Sequence, residues 1–180
     1  MNKLEITKAV YVKHFNQDEF LTNQADILKD LNAIVDSFDY DVNLEYTKDY
    51  LCNLNSDIFL NNSKVDIFIL YCNNEPVSFV VMCNNNVDLF WTNYEYAKLG
   101  YATVLIRAMS SMFAKEKKYN LTFKIDENNL IFSSLLESFK KVEGIKFIEK
   151  LAKNGKKTIK FSTKNINFEE ILTKIKEMTI

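Results

Sequence analysis

Apolar positions along this chain recur with two periods, and the switches between them mark the predicted elements. Leu4 to Val10 alternates apolar and polar residues, the pattern of a half-buried strand. From Phe20 to Phe38 the spacing becomes helical, with Ala25, Ile27, Leu28, Leu31, Ile34 and Val35 on one face and Asp18 as cap or first-turn acid. Residues 45–54 predict a shorter helix that presents Tyr46, Tyr50, Leu51 and Leu54 on one side. Three strands then follow closely. Val65–Tyr71 is apolar enough for a central strand, and Val77–Met82 and Val87–Thr92 complete an antiparallel meander. The turns are Asn73-Asn74-Glu75-Pro76 and Asn84-Asn85-Asn86, where asparagine tolerates left-handed backbone.

The helical period returns near Gly100, burying Val104, Leu105, Ala108, Met109, Met112 and Phe113. Leu121–Ile125 is a strand, and Leu130–Val142 is a helix stopped by Gly144. Ile145–Ala152 and Thr158–Thr163 flank an Asn154-Gly155 hairpin signal. Phe168, Ile171, Leu172, Ile175 and Met178 stripe a last helix. The expected order is β-α-α-β-β-β-α-β-α-β-β plus a C-terminal helix. That is an α/β (α+β) fold with a mixed, mostly antiparallel sheet flanked by helices. No repeat or Pro/Gly/Ser-rich linker divides residues 1–180, so one domain is expected, with 164–180 as an additional helix.

Composition narrows the function. The chain has 180 residues, and its net charge of −1 gives no electrostatic case for DNA or an anionic membrane as partner. Its lysines are interleaved with acids. The opening MNKLEITKAV lacks the apolar core of a secretory signal, and no apolar run approaches the ~18 residues of a membrane helix. Cys52, Cys72 and Cys83 have no CxxC spacing, and one histidine accompanies them, so no metal site is expected. They read as small buried hydrophobes of a cytoplasmic protein.

Gly100 is one of only three glycines. It lies where a strand ends and a helix opens, a joint whose first N–H groups lack intrahelical partners and carry the positive end of the helix dipole. A small residue there lets a phosphate approach the backbone, and Ala102 is the next smallest choice. We expect Gly100 to be small for that approach, not because the helix needs a flexible start.

The stretch Ala97-Lys98-Leu99-Gly100-Tyr101-Ala102, with the order of elements, resembles the GNAT family of acyl-CoA-dependent N-acyltransferases. That family's pyrophosphate motif is Gln or Arg, two residues, Gly, one residue, Gly or Ala. Asp126-Glu127-Asn128-Asn129, then a helix, then Gly144-Ile145, resembles the family's downstream "N…GF" end. The resemblance covers residues 4–163. It implies transfer of an acetyl group from acetyl-CoA to an amine of an unidentified acceptor. It also implies a CoA site formed by Trp91, Thr92, Lys98, Leu99, Gly100, Tyr101, Ala102, Thr103 and Asn129, with backbone amides from Leu99 to Thr103 available to phosphate. Thr92 would offer its backbone to the pantetheine arm between two splayed strands, Val87–Thr92 and Leu121–Ile125. A second copy of the chain is a further candidate partner.

Two positions depart from the family pattern. Ala97 stands where Gln or Arg would donate to phosphate, and Leu136 or Phe139 stands where a tyrosine acid is frequent. They keep open a degenerate module that binds CoA or a protein without catalysis.

Acyl transfer needs a group to take the amine's proton. Asp88 is the catalytic candidate: it lies in an apolar run, nine residues before Ala97, where many family members carry an acid. Burial there would raise its pKa and suit it to base work. Glu95 and Tyr96 are second candidates. His14, expected in a loop after the first strand, is a weaker one.

Overall fold

The computed structural model describes residues 9–54 apart from 40 and 42, then 64–84, 86–115, 120–126, 146–151 and 156–162. The expected Leu130–Val142 and C-terminal helices, Asn129, Gly144 and the Asn154-Gly155 turn lie outside these residues.

Among the described residues seven strands form one sheet, and their residues explain its two-sided burial. They are β1 (Val10–Asn16), β2 (Val65–Cys72), β3 (Glu75–Cys83), β4 (Asn86–Thr92), β5 (Asn120–Asp126), β6 (Lys146–Leu151) and β7 (Lys156–Ser162). Their order is β1-β2-β3-β4-β5-β7-β6. Every residue of β2 is buried. Ile67, Ile69 and Tyr71 pack on one face, and Phe68, Leu70 and Cys72 on the other. A strand covered on both faces reads as a continuous apolar run, which is why β2 was legible as central.

The first face is covered by α1 (Gln17–Thr22), α2 (Gln24–Val35) and α3 (Leu44–Asn53), whose Phe20, Leu31, Ile34 and Leu51 meet Phe79 and Leu89 of the sheet. The opposite face is covered by α4 (Tyr101–Lys115) through Val104, Leu105, Ile106 and Met109. Each fully buried side chain of this kind contributes about 1.5–3 kcal/mol relative to exposure. No helix among the described residues is long and apolar enough to cross a membrane.

The α/β fold class expected from the sequence is the one found, with local differences. The expected Leu4–Val10 strand lies outside the described residues up to residue 8, and the first described strand is Val10–Asn16. Its seven residues pair with β2 from Val10↔Cys72 to Asn16↔Asp66. Both of its faces are partly covered, so its alternation is blurred. The single helix expected over Phe20–Phe38 is two. Asn23 (φ −116, ψ 24) interrupts it, and its N–H donates to the Glu19 and Phe20 carbonyls. Asp18 is the first-turn acid of α1, and the cap is Asn16, in a reciprocal capping box with Glu19. Finally, Cys52 is exposed, whereas Cys72 and Cys83 are buried.

The β2–β3 hairpin closes through Asn73 (φ 53) and Asn74 (φ 68), left-handed residues of the kind a two-residue turn needs. Pro76 falls where the β2–β3 register shifts, a place that tolerates a missing N–H.

Candidate active site

The sheet opens at one place. β4 and β5 run parallel, yet they are paired only at Asn86↔Thr122 and Val87↔Phe123. β4 continues to Thr92 and β5 to Asp126. The strands therefore part after Val87 and leave a wedge that widens toward their carboxyl ends, the end at which open α/β sheets bind ligands. The Asn93 N–H donates to the Val77 carbonyl at 2.8 Å. By strand alternation, Thr92 turns its own N–H and C=O away from β3, into the wedge. Its hydroxyl is held by Ser78 Oγ at 2.9 Å, and Ser78 Oγ also donates to the Trp91 carbonyl at 2.8 Å.

The N-terminus of α4 lies at the same end of the sheet. Tyr101 Oη is 3.5 Å from Cys72 Sγ at the end of β2, and the Tyr96 hydroxyl donates to Glu75 Oε2 at 3.0 Å at the start of β3. The Val104 N–H donates to the Gly100 carbonyl at 3.1 Å, which makes it the first helical bond. The N–H groups of Tyr101, Ala102 and Thr103 thus have no carbonyl one turn back. The first turn of α4 carries no acidic residue, whereas α1, α2 and α3 each carry one or two. The dipole at this end is left for an external anion.

Two expectations at this joint change. Gly100 has φ 87, so the backbone itself asks for glycine whether or not a ligand lies against it. Lys98 is also left-handed, at φ 65, and the two together turn the chain from β4 into α4. The Leu99 N–H, expected to be available to phosphate, donates to the Tyr96 carbonyl at 3.4 Å, and the Leu99 side chain is exposed.

Asp88 occupies the apex of the wedge, the first residue beyond the last β4–β5 pair. The β3–β4 register skips it: Val81 pairs with Leu89 and Met82 with Val87. This bulge re-aims the side chain. Val87 packs on the α4 face, whereas Asp88 turns to the α3 face and accepts the Tyr50 hydroxyl at 2.9 Å. Tyr50 Oη also lies 3.1 Å from Cys83 Sγ. Burial, joined by the hydrogen bond with Cys83, pushes the Tyr50 phenol above its ordinary range. Burial likewise pushes the Cys83 thiol up to about 12, so it stays protonated and unreactive at neutral pH. The expected burial of Asp88 is not found. Its carboxylate is exposed, because the bulged residue projects beside α3 rather than under it.

The remaining predicted residues disperse. The Trp91 ring lies on the α2 face, edge-on to Phe38 at 5.0 Å between centroids, away from α4. Glu95 is an exposed residue of a 3₁₀ turn, its N–H donated to Asn93 Oδ1. His14 is not in a loop but inside β1, stacked on Phe68 and 2.9 Å from Asp66 Oδ1, in contact with core rather than cleft. The sequence reading passed over Tyr50 as a helix-face residue. Its i, i+4 spacing from Tyr46 is visible in the chain, but its partner, 38 residues away, is not.

This arrangement is similar to solved N-acetyltransferases. The ribosomal-protein-S18-alanine N-acetyltransferase from Escherichia coli aligns with a TM-score of 0.53 at 11% identity, over 86% of this chain and 92% of that one. The PaiA N-acetyltransferase from Thermoplasma acidophilum, in complex with coenzyme A, aligns at 0.54 and 10%, over 84% and 98%. The aminoglycoside acetyltransferase AAC(6')-Ib, in complex with coenzyme A, aligns at 0.54 and 14%, over 84% and 94%. Neither a protein-family model nor a curated relative matches the chain. At these identities the likeness is one of fold.

Proposed function

We propose, with the GNAT fold of this chain as premise, that it is an acyl-CoA-dependent N-acetyltransferase that moves an acetyl group from acetyl-CoA to an amine. The observation that carries this reading is the combination of three features along one gap in the sheet: the β4–β5 wedge, the acid-free N-terminus of α4 at its open end, and a carboxylate at its apex. The pyrophosphate of CoA meets the N–H groups of Tyr101, Ala102 and Thr103, with the Lys98 ammonium as added charge. The pantetheine arm runs down the wedge past the Thr92 backbone, and the thioester comes to rest toward Asp88.

The chemistry follows from those places. The acceptor arrives as an ammonium and loses a proton, through Asp88 or a water on it, to become a nucleophile. Its nitrogen forms the C–N bond at the thioester carbonyl, the C–S bond breaks, and the second amine proton leaves with the sulfur as the CoA thiol. Backbone N–H groups lining the wedge stabilise the carbonyl oxygen as it gains charge. The Ala97 position sustains the second reading, a module that binds CoA without transfer. In the Gln/Arg place of the motif it offers no side-chain donor, and its N–H is already donated to the Tyr94 carbonyl at 3.1 Å.

Thermal denaturation with acetyl-CoA, followed by thiol release with an amine mixture, tests both readings. At ~100 times its dissociation constant the ligand adds about 2.7 kcal/mol, a rise of roughly 5–10 °C for a chain of this size. A shift with turnover supports the enzyme, and a shift without turnover supports the module. No shift at millimolar acetyl-CoA overturns both.

A further inference from the structure

Asp88 decides from which side an acceptor enters, and that side has a composition of its own. The bulge at Asp88 turns its carboxylate to the α2/α3 face of the sheet, so an amine that delivers a proton to it must approach there. Further along β4, Trp91 emerges on the same face. Phe38, just past the end of α2, stands edge-on to Trp91 at 5.0 Å and to Tyr94 at 5.7 Å between centroids. The three rings are fixed relative to one another. The Tyr94 N–H donates to Ser37 Oγ at 2.9 Å, and Ser37 Oγ donates to the Ile34 carbonyl at 2.7 Å, which latches the loop after α2 to the loop after β4. Tyr94 is nonetheless 66% exposed, a large aromatic surface left in water on a wall otherwise held in place.

Three residue steps along the strand lead from Asp88 to Trp91, roughly 10 Å at the rise of an extended chain. That span fits a carboxylate and a ring platform engaging the two ends of one small molecule. Asp88 is an exposed carboxylate on this face, and the Lys48 ammonium of α3 is held by Asp36 at 2.7 Å. A carboxylate-bearing or phosphate-bearing acceptor would meet repulsion here, whereas an ammonium meets attraction and an apolar body meets aromatic faces.

We propose that the acceptor is a small primary amine on an aromatic or bulky apolar body, without a carboxylate, its amine directed at Asp88 and its body against Phe38, Trp91 and Tyr94. This rests on the acetyltransferase reading above and names the substrate class of that site.

The test is steady-state thiol release from acetyl-CoA by the whole chain with 2-phenylethylamine, ethylamine and L-glutamate as acceptors, with CoA binding measured separately by calorimetry. The expected result is a KM for 2-phenylethylamine roughly tenfold or more below that for ethylamine, the size of effect one ring on an aromatic wall supports, and no use of glutamate. Tyr94→Ala should shrink that ratio to about threefold or less, and Tyr94→Phe should keep it, since the face rather than the hydroxyl is needed. Equal KM values for the two amines, or preferred use of glutamate, overturn the aromatic acceptor while acetyl transfer stands. CoA binding without turnover of any amine overturns the transferase reading and this proposal with it.

Discussion

The Tyr50 hydroxyl on α3 donates to the Asp88 carboxylate on β4 at 2.9 Å, a link between residues 38 apart that joins a helix face to a strand bulge. It holds an exposed carboxylate in one orientation without neutralising it. If Asp88 takes the amine's proton, Asp88→Asn lowers turnover by about 10²-fold or more while CoA affinity stays within a few-fold. A pH–rate profile with unchanged limbs in Asp88→Asn would return Asp88 to a purely structural place in the bulge.

Gly100 now has two separable duties. Its φ of 87 predicts that Gly100→Ala destabilises the ligand-free protein, by about 1 kcal/mol, instead of leaving it neutral or slightly stabilised as at an ordinary helix start. The phosphate duty predicts that the methyl group also weakens CoA binding and that Gly100→Glu abolishes it by adding repulsion at the dipole. Denaturant titration of the apo variants reads the first effect, and calorimetric titration of CoA reads the second. Wild-type CoA affinity in Gly100→Glu would remove the phosphate from this joint.

His14 and Asp66 give a prediction of the opposite kind. Asp66 is 2% exposed, and its hydrogen-bond partner among the described residues is His14 at 2.9 Å. His14→Phe would keep the ring stacked near Phe68 but leave a buried carboxyl group without that partner, at a cost of about 1–3 kcal/mol. Turnover per folded molecule should stay within twofold of wild type, measured at a temperature where both are folded. A large loss of turnover at full folding would restore a catalytic role to the histidine.

Stability should fall on the alkaline side. Burial pushes the Cys83 thiol up to about 12 from 9.0, and it pushes the Tyr50 and Tyr71 phenols up from 10.0 as well. Each group is neutral when protonated, so the unfolded chain releases its proton first as pH rises. The contribution is complete below about pH 9 and is lost progressively between about 9 and 12. Denaturant midpoints across that window should fall steadily, and Cys83→Ala, though weaker throughout, should fall less steeply. Midpoints independent of pH from 9 to 11 would contradict the burial of these groups.

What the sequence determined by itself was the set of elements whose pattern is local. The all-apolar β2, the asparagine turns of the meander and the stripe of α4 follow from side-chain period and turn chemistry over a few residues each. The small residues at 100 and 102 marked the strand-to-helix joint, because backbone approach and backbone sign both leave their trace in residue size. Val10–Asn16 was passed over as a strand and α1–α2 merged for a reason that is also local: partial cover on both faces blurs a period of two, and one asparagine can interrupt a helix without interrupting its stripe. Only the tertiary structure decided which face Asp88 takes. A single bulge residue reverses that face, and its signature is a register between two strands, not a pattern within one. The wedge likewise exists only as the early parting of β4 and β5. The Tyr50 contact and the wall of Phe38, Trp91 and Tyr94 come from chain segments about 40 to 55 residues apart, which no periodicity links and which packing on a common sheet face brings together.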